Sequence, residues 1–293
     1  MSASPALPAV RLARHAMATR FELVLHGDDP IRLRAIGEEA LDEIDRIEQL
    51  LSIYRPTSEL SEINRLAAHQ PVRVSPDVFD VLSRSLQLSA LTEGAFDITI
   101  APLVKAWGFM QGAGQQPTEE WISAARALVG WKNICLLEES RSVRFAKQSI
   151  MLDLGSVGKG FALEKVALLL REYGIQHALI HGGTSTVVAI GPDAQGIPWK
   201  IALPPEIGGY AHLCDTALSV SAVWGKSFTD GDRVLGHVLD PVTGWPVAHS
   251  KVASVQSSSA LETDALSTAL LVRGPSLQPI LAHARPGILC NIA

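Results

Sequence analysis

An α+β fold is the architecture this sequence predicts, and three features carry that reading. Helix-period and strand-period segments follow one another without the regular strand–helix–strand alternation of a doubly wound sheet. The last third consists mostly of short strands set between turn residues. The chain has 293 residues, 47% hydrophobic and 19% charged, against about 25% charged in a typical globular domain. Such a chain folds rather than remaining disordered, and its length suits one large domain or two lobes sharing a core.

Residues 1–13, with Pro5, Pro8 and small side chains, read as a flexible tail, and residues 14–293 as one domain without internal repeats or a linker. Alternating Phe21, Leu23 and Leu25 predict a strand over Thr19–His26, closed by Gly27-Asp28-Asp29-Pro30. The clearest helix follows, with Leu33, Ile36, Ala40, Ile44, Ile47 and Leu51 at three- and four-residue steps. Arg55-Pro56 stops it. Further helices start at Ser58 and at Ser75-Pro76-Asp77, an N-cap with proline at the first helical position. Residues 94–99 and 107–109 read as ordered loop, and 111–116 as a Gly/Gln-rich stretch. A helix capped by Thr118 runs to about Val129, where Gly130 ends it.

Strands are then expected at Ile134–Leu137, 143–145 and 150–154. The turn Gly155-Ser156-Val157-Gly158-Lys159-Gly160 feeds a helix that Gly174 closes. More strands are expected at 177–181, 187–190, 200–203, Ala217–Ala222 and 237–239, with Asp230-Gly231 as a hairpin turn. A last amphipathic helix spans 261–272.

Composition narrows the function. Lys and Arg total 25 and Asp and Glu 30, so the formal charge is 25 − 30 = −5. With no clustered basic stretch, a general nucleic-acid binder is excluded. No apolar run approaches the roughly 18 residues that span a bilayer. The N-terminus shows neither an apolar signal region nor a lipobox cysteine, so no membrane anchor is expected and the cytoplasm is the expected location. Cys135, Cys214 and Cys290 are far apart and odd in number, which argues for buried, reduced thiols rather than disulfides or a metal knuckle.

Four segments could carry chemistry. In Asp153-Leu154-Gly155-Ser156-Val157-Gly158-Lys159-Gly160, a strand end and glycines open a helix. Its free amides and dipole could face an anion beside Lys159. The spacing is not that of a Walker A loop, and an ordinary strand-to-helix connection would look the same. His181-Gly182-Gly183 allows close backbone approach to a ligand, or is only a turn. In the 236–246 segment, Asp240-Pro241 and Thr243-Gly244 are turn chemistry, whereas His237 has the side chain of a general base at neutral pH. Asp264 and Thr268, four apart on a helix, place two oxygens on one face. That is hard-cation chemistry, although Asp264 could equally serve the helix dipole.

Taken in order, these segments, with Met17-Ala18-Thr19-Arg20-Phe21, Leu51-Ser52-Ile53-Tyr54, residues 94–99 with Pro102-Leu103-Val104, and Trp107-Gly108-Phe109, resemble the ApbE family of FAD:protein FMN transferases. The resemblance runs from about residue 14 to 275. It implies two intimately packed α/β lobes with mixed or antiparallel sheets and a flavin cleft between them. It also implies Mg²⁺-dependent transfer of the FMN half of FAD to a Ser or Thr hydroxyl of an acceptor flavoprotein carrying a flavinylation motif, with release of AMP. By the same resemblance, Ser156 (through its carbonyl), Asp264, Ser267 and Thr268 hold Mg²⁺, with Mn²⁺ the alternative metal. Met17, Tyr54, Ala95, Phe96, Asp97, Asp153, Lys159 and Leu239 contact FAD. His237 is the base and Asp264 the second catalytic residue.

The chain departs from the family pattern at Thr184, where Asn is usual, at Ser221-Ala222 in place of Ser-Gly, and at Thr263 before Asp264 in place of Ala. Two other activities fit the same residues: an FAD pyrophosphatase yielding FMN and AMP, and a non-catalytic FAD-binding protein.

Overall fold

Strand pairing starts earlier than the N-terminal composition suggests. The computed structural model describes residues 8–110, 112–231 and 233–293. Strand β1 (Ala9–Ala16) takes in residues 9–13, which the sequence reading gave to the tail. Val10, Leu12 and Ala16 are buried on it, a period-2 apolar face hidden among arginines. Residues 1–7, the rest of that tail, lie outside the described residues, as does Gln111 of the Gly/Gln-rich stretch. A two-residue turn, Met17-Ala18, leads into β2 (Thr19–His26).

Helix α1 (Pro30–Leu51) is started by Asp29, whose Oδ1 accepts from the amides of Ile31 and Arg32, each at 3.0 Å. Its buried stripe contains all six residues of the expected apolar face. Gly37 on that stripe lets β1 close in, since a Cβ there would overlap Leu12 Cδ1. Ser58 caps α2 (Glu59–Leu66), β3 (Val72–Arg73) follows, and Ser75 caps α3 (Pro76–Leu91), both caps as expected. The loop reading missed α4 (Ala101–Ala106). Thr118 caps α5 (Glu119–Arg126), which ends a few residues early, where the Leu128 and Val129 amides bond the carbonyls three residues back, and a 3₁₀ turn follows at 131–133. β4 (Ile134–Leu137) and β5 (Ser142–Phe145) join β3 in a three-stranded sheet.

Residues 150–154 are not a strand. Their partner is a side chain: Asn64 of α2 accepts from the Leu152 amide at 2.7 Å and donates to the Leu152 carbonyl at 3.0 Å. The Asp153 amide donates to the Ile98 carbonyl at 2.8 Å. The backbone is satisfied without a ladder, and the 94–99 loop is tied to the segment that opens the next helix.

That helix is α6 (Gly158–Glu172). After it come β6 (His177–Gly182), β7 (Thr186–Ile190), β8 (Trp199–Ala202), β9 (Tyr210–Leu213) and β10 (Ala217–Ala222). β11 (Ser227–Asp230) and β12 (Arg233–Gly236) form the expected hairpin around Gly231. The chain closes with β13 (Val252–Ser257), α7 (Ala260–Arg273), α8 (Gln278–Ala284) and β14 (Leu289–Ile292). The strand expected at 237–239 is a loop with one bridge, Leu239 to Pro246, because Asp240 turns the chain there: the amides of Asp240 and Gly244 bond the carbonyls of Trp245 and Asp240, each at 2.8 Å.

The central sheet has the order β1-β2-β6-β7-β10-β13-β14, and every neighbouring pair is antiparallel. Helices α1, α6 and α7 pack on one face of it, while the β8–β9 hairpin packs with Val187 and Leu218 of the other. The α+β class therefore holds, in its antiparallel form. A separate apolar cluster of Leu103, Trp107, Phe109, Ile122, Leu235 and Leu239 supports the 237–246 loop.

Two other expectations are corrected. Helix α7 is not amphipathic, since eleven of its fourteen residues are buried; it is sandwiched between β10 and β13 on one side and α3 and α6 on the other. The thiols are not core residues either: Cys135 and Cys214 are exposed and Cys290 half-buried. Cys135 is on an outward position of β4 and Cys214 in the turn after β9.

Glu164 of α6 fixes α7 in place. It accepts from the Ser259 hydroxyl at 2.6 Å and the Leu261 amide at 3.2 Å, at the start of α7, and is paired with Arg84 of α3 at 2.5 Å. Burial pushes its pKa up, but the Arg84 guanidinium, the Ser259 hydroxyl and the Leu261 amide outweigh it and hold the carboxyl below its ordinary 4.5. A depressed folded-state pKa means the stabilisation is present above 4.5 and is lost as pH falls through the lower folded value. Glu164→Gln should cost about 2 kcal/mol at pH 7 and flatten the acid limb of a pH–melting curve. An unaltered limb would remove Glu164 from this role.

Candidate active site

The all-round burial of α7 forces its polar residues to find partners inside the protein. Asp264 is 4% exposed. Its Oδ2 accepts from the Gly160 amide at 2.9 Å and its Oδ1 from the Thr186 hydroxyl at 3.3 Å, with Lys159 Nζ at 4.0 Å from Oδ1. Only glycine fits at position 160, where a Cβ would overlap the Ala260 carbonyl and lie 2.7 Å from Asp264 Cβ. The contact joins the first turn of α6 to α7, so the two segments singled out from sequence meet. Burial raises the Asp264 pKa; Lys159, the Gly160 amide and Thr186 act in the opposite direction. One turn along α7, the Ser267 and Thr268 hydroxyls bond the Asp264 carbonyl at 3.0 and 3.3 Å. Ser221 of β10 lies 2.8 and 3.1 Å from those two hydroxyls. Ser156 is in the turn just before α6.

A buried carboxylate whose nearest cation stands 4.0 Å away, beside hydroxyl and carbonyl oxygens, suits a hard cation with oxygen ligands. Among the described residues, no group of three His, Cys, Asp or Glu side chains could hold a metal. The donor set therefore fits an ion that keeps water or phosphate oxygens in its shell, as Mg²⁺ does, rather than zinc.

Lys159 and Asp153 also line a cleft of about 310 Å³ with Met17, Glu48, Tyr54 and Arg55, within the usual range of about 300–1,000 Å³ for small-molecule sites. Four of the residues assigned to the cofactor by resemblance thus share one cavity. Met17 and Ala18, at φ 49° and 57°, form a hairpin turn of left-handed residues that costs roughly 1–2 kcal/mol per non-glycine residue. Glu48 holds that turn by accepting from the Met17 amide at 3.0 Å. Tyr54 is 64% exposed at the cleft; burial, then the Asp153 charge, raises its phenol pKa. Asp153 accepts from the Gly155 amide at 2.8 Å. Its pKa is raised by burial, against the pull of that amide, Lys159 and Lys226.

His237 follows β12 directly. Its Nδ1 lies 3.1 Å from the Lys226 carbonyl; a carbonyl only accepts, so Nδ1 carries the proton and Nε2 is left as a base. Crowding by protein, together with the Lys226 and Lys159 charges, holds its pKa below 6.5, opposed by the bond to the Lys226 carbonyl. The ring packs edge-on to Phe109, with centroids 6.5 Å apart.

The other residues assigned to the cofactor, Ala95, Phe96, Asp97 and Leu239, do not line this cleft. Ala95, Phe96 and Leu239 are buried apolar side chains. Asp97 is buried with its oxygens already bonded: Oδ1 accepts from the Thr99 amide and hydroxyl at 2.8 and 2.6 Å, and Oδ2 from the Trp131 amide at 2.9 Å. Burial raises its pKa against those bonds. Sequence reasoning missed Glu48, Thr186, Ser219 and Lys226. Glu48 had a local signal, as a polar residue in the last turn of α1; the others depend on strand register.

The buried Asp264 carboxylate is bonded to the glycine-rich start of α6, whose Lys159 lines the cleft, and in an α+β protein such a helix start beside a cleft is a candidate site for an anionic ligand. The family model described as ApbE family matches residues 17–291, and the chain belongs to that family. It is 32% identical over 270 residues to the FAD:protein FMN transferase of Escherichia coli (strain K12), covering 88% of this chain and 77% of that protein. It is 32% identical over 287 residues to the FAD:protein FMN transferase of Klebsiella pneumoniae (strain 342), covering 93% and 81%. Among solved structures, it is similar to the ApbE protein from Thermotoga maritima, with TM-score 0.88 and 26% identity over 97% of this chain and 94% of that one. It is also similar to the flavinyl transferase ApbE from Pseudomonas stutzeri in its apo form, with TM-score 0.86 and 30% identity over 98% and 91%.

Proposed function

We infer that this chain is a flavin transferase that moves the FMN half of FAD onto a Ser or Thr hydroxyl of an acceptor protein and releases AMP, with Mg²⁺ as its metal. The observation that carries the reading is the buried Asp264 carboxylate, joined to the start of α6 by Gly160 and opposed by Lys159 only at 4.0 Å. Asp264, Ser267, Thr268 and the Ser156 carbonyl would hold the ion, which supplies Lewis acidity and alignment to a pyrophosphate.

The protein's own groups perform the rest. Met17, Tyr54, Asp153 and Lys159 hold FAD in the cleft, and Ala95, Phe96, Asp97 and Leu239, outside the cleft lining, are assigned FAD contacts by family resemblance alone. The acceptor oxygen attacks the phosphorus of the FMN half and its proton passes to His237 Nε2. The pyrophosphate P–O bond breaks and AMP departs. Phosphoryl transfer of this kind depends on alignment and charge neutralisation, to which Lys159, in the cleft lining, contributes a positive charge. A reducing, cytoplasmic setting belongs to the same proposal and is supported by three unpaired cysteines. Among the described residues, no helix is long and apolar enough to cross a membrane.

Incubation with FAD, Mg²⁺ and an acceptor carrying a Ser/Thr flavinylation motif should give a fluorescent acceptor band on a denaturing gel that chelator abolishes. AMP with no band would instead identify a pyrophosphatase. FAD bound with neither product would identify a binding protein. Tyr54→Ala should weaken FAD binding about tenfold, close to 1.4 kcal/mol, in a fluorescence titration; an unchanged titration would take Tyr54 out of the cofactor site.

A further inference from the structure

Thr186 and Ser219 are polar residues with no exposure at all, and neither has a role in the mechanism above. They are direct cross-strand partners on β7 and β10, so their side chains share the face of the sheet that α7 covers. Ser219 Oγ lies 3.3 Å from Thr186 Oγ1 and 2.9 Å from Thr263 Oγ1 of α7. Thr186 in turn donates to Asp264 Oδ1 at 3.3 Å. The hydroxyls thus form a chain that ends on Oδ1 of the carboxylate, the oxygen that the Gly160 amide does not bond.

Each Asp264 oxygen accepts one protein hydrogen bond, Oδ2 from the Gly160 amide and Oδ1 from Thr186. Donors from two separate elements fix the plane of the carboxylate, leaving one lone pair on each oxygen for a cation. We propose that Thr186, steered by Ser219, is a positioning residue that sets the orientation in which Asp264 receives the metal. The inference rests on the metal reading given under the proposed function. Such supporting hydrogen bonds typically change metal affinity by about 10–100-fold when removed. The Thr186 methyl is not involved, so serine should serve as well as threonine.

The test is a Mn²⁺ titration of the full chain in the presence of FAD, read by loss of the free-ion paramagnetic resonance signal, with FAD alone as the blank. Thr186→Val keeps the shape and removes the hydroxyl. It should weaken Mn²⁺ binding about tenfold while the melting temperature stays close to that of the parent, and transfer should recover towards the parent rate at saturating Mn²⁺. Thr186→Ser should restore the affinity. If the valine variant does not fold, Ser219→Ala is read instead, with a smaller loss of about threefold expected. Parent-like affinity in Thr186→Val, or equal losses in the valine and serine variants, would overturn the positioning role and leave the metal reading intact. A parent protein that binds no Mn²⁺ would overturn both.

Discussion

Asp264→Ala is expected to lower flavin transfer by about 10³-fold or more, the largest single effect in the protein. The side chain is a buried carboxylate bonded to the Gly160 amide at the start of α6, and losing several kcal/mol of charge stabilisation is worth about tenfold for each 1.36 kcal/mol. The fold should survive. Burial raises the Asp264 pKa, so the cost of the ionised carboxylate grows as pH rises from the ordinary 3.8 to the higher folded value and is fully present above it; alanine relieves that cost while leaving the Gly160 amide and Thr186 hydroxyl unpaired. These two effects oppose each other, and the melting temperature should move by only a few degrees. Asp264→Asn keeps the shape without the charge and should be nearly as inactive. Full turnover in either variant, measured as AMP release, would remove Asp264 from the site.

His237→Ala should slow transfer by about 10²–10⁴-fold and leave FAD affinity unchanged, because the ring is outside the cleft that Met17, Tyr54 and Asp153 line. The pH profile supplies a second signature. The lowered pKa keeps the imidazole neutral at pH 7, so the parent rate should be level there and fall only as pH drops through a value below 6.5. The variant should lack that limb. A parent profile whose acid limb lies above 6.5, or a variant that keeps the limb, would show that another group takes the proton.

Most of the architecture was legible because its signals are local. Asp29, Ser58, Ser75 and Thr118 cap their helices with their own side chains, and the α1 stripe repeats at the helical period. What stayed hidden depends on contacts distant in sequence. Asn64 stands in for a strand beside Leu152, 88 residues away, so residues 150–154 carry a strand's composition without a ladder. The β1 pattern is diluted by Arg11, which is exposed, and by Arg14, which shares the inner face with Val10 and Leu12 and pairs with Asp42 and Asp45 of α1. Helix α7 reads as amphipathic because Thr263, Asp264 and Ser267 are polar, yet all three are buried against other hydroxyls, amides or carbonyls. Asp264, Lys159 and His237 could be singled out by residue type and spacing, whereas the Thr186–Ser219 pairing exists only in the register of β7 against β10.

The central claim is that a protein hydroxyl, rather than water, takes the FMN phosphorus. The most direct measurement is the intact mass of an acceptor after reaction, taken together with the AMP released, for an acceptor with its target Ser or Thr and for one with alanine there. The account predicts one added FMN moiety and one AMP per acceptor in the first case, and neither product above background in the second. AMP released at the same rate with both acceptors, and no added mass, would contradict it.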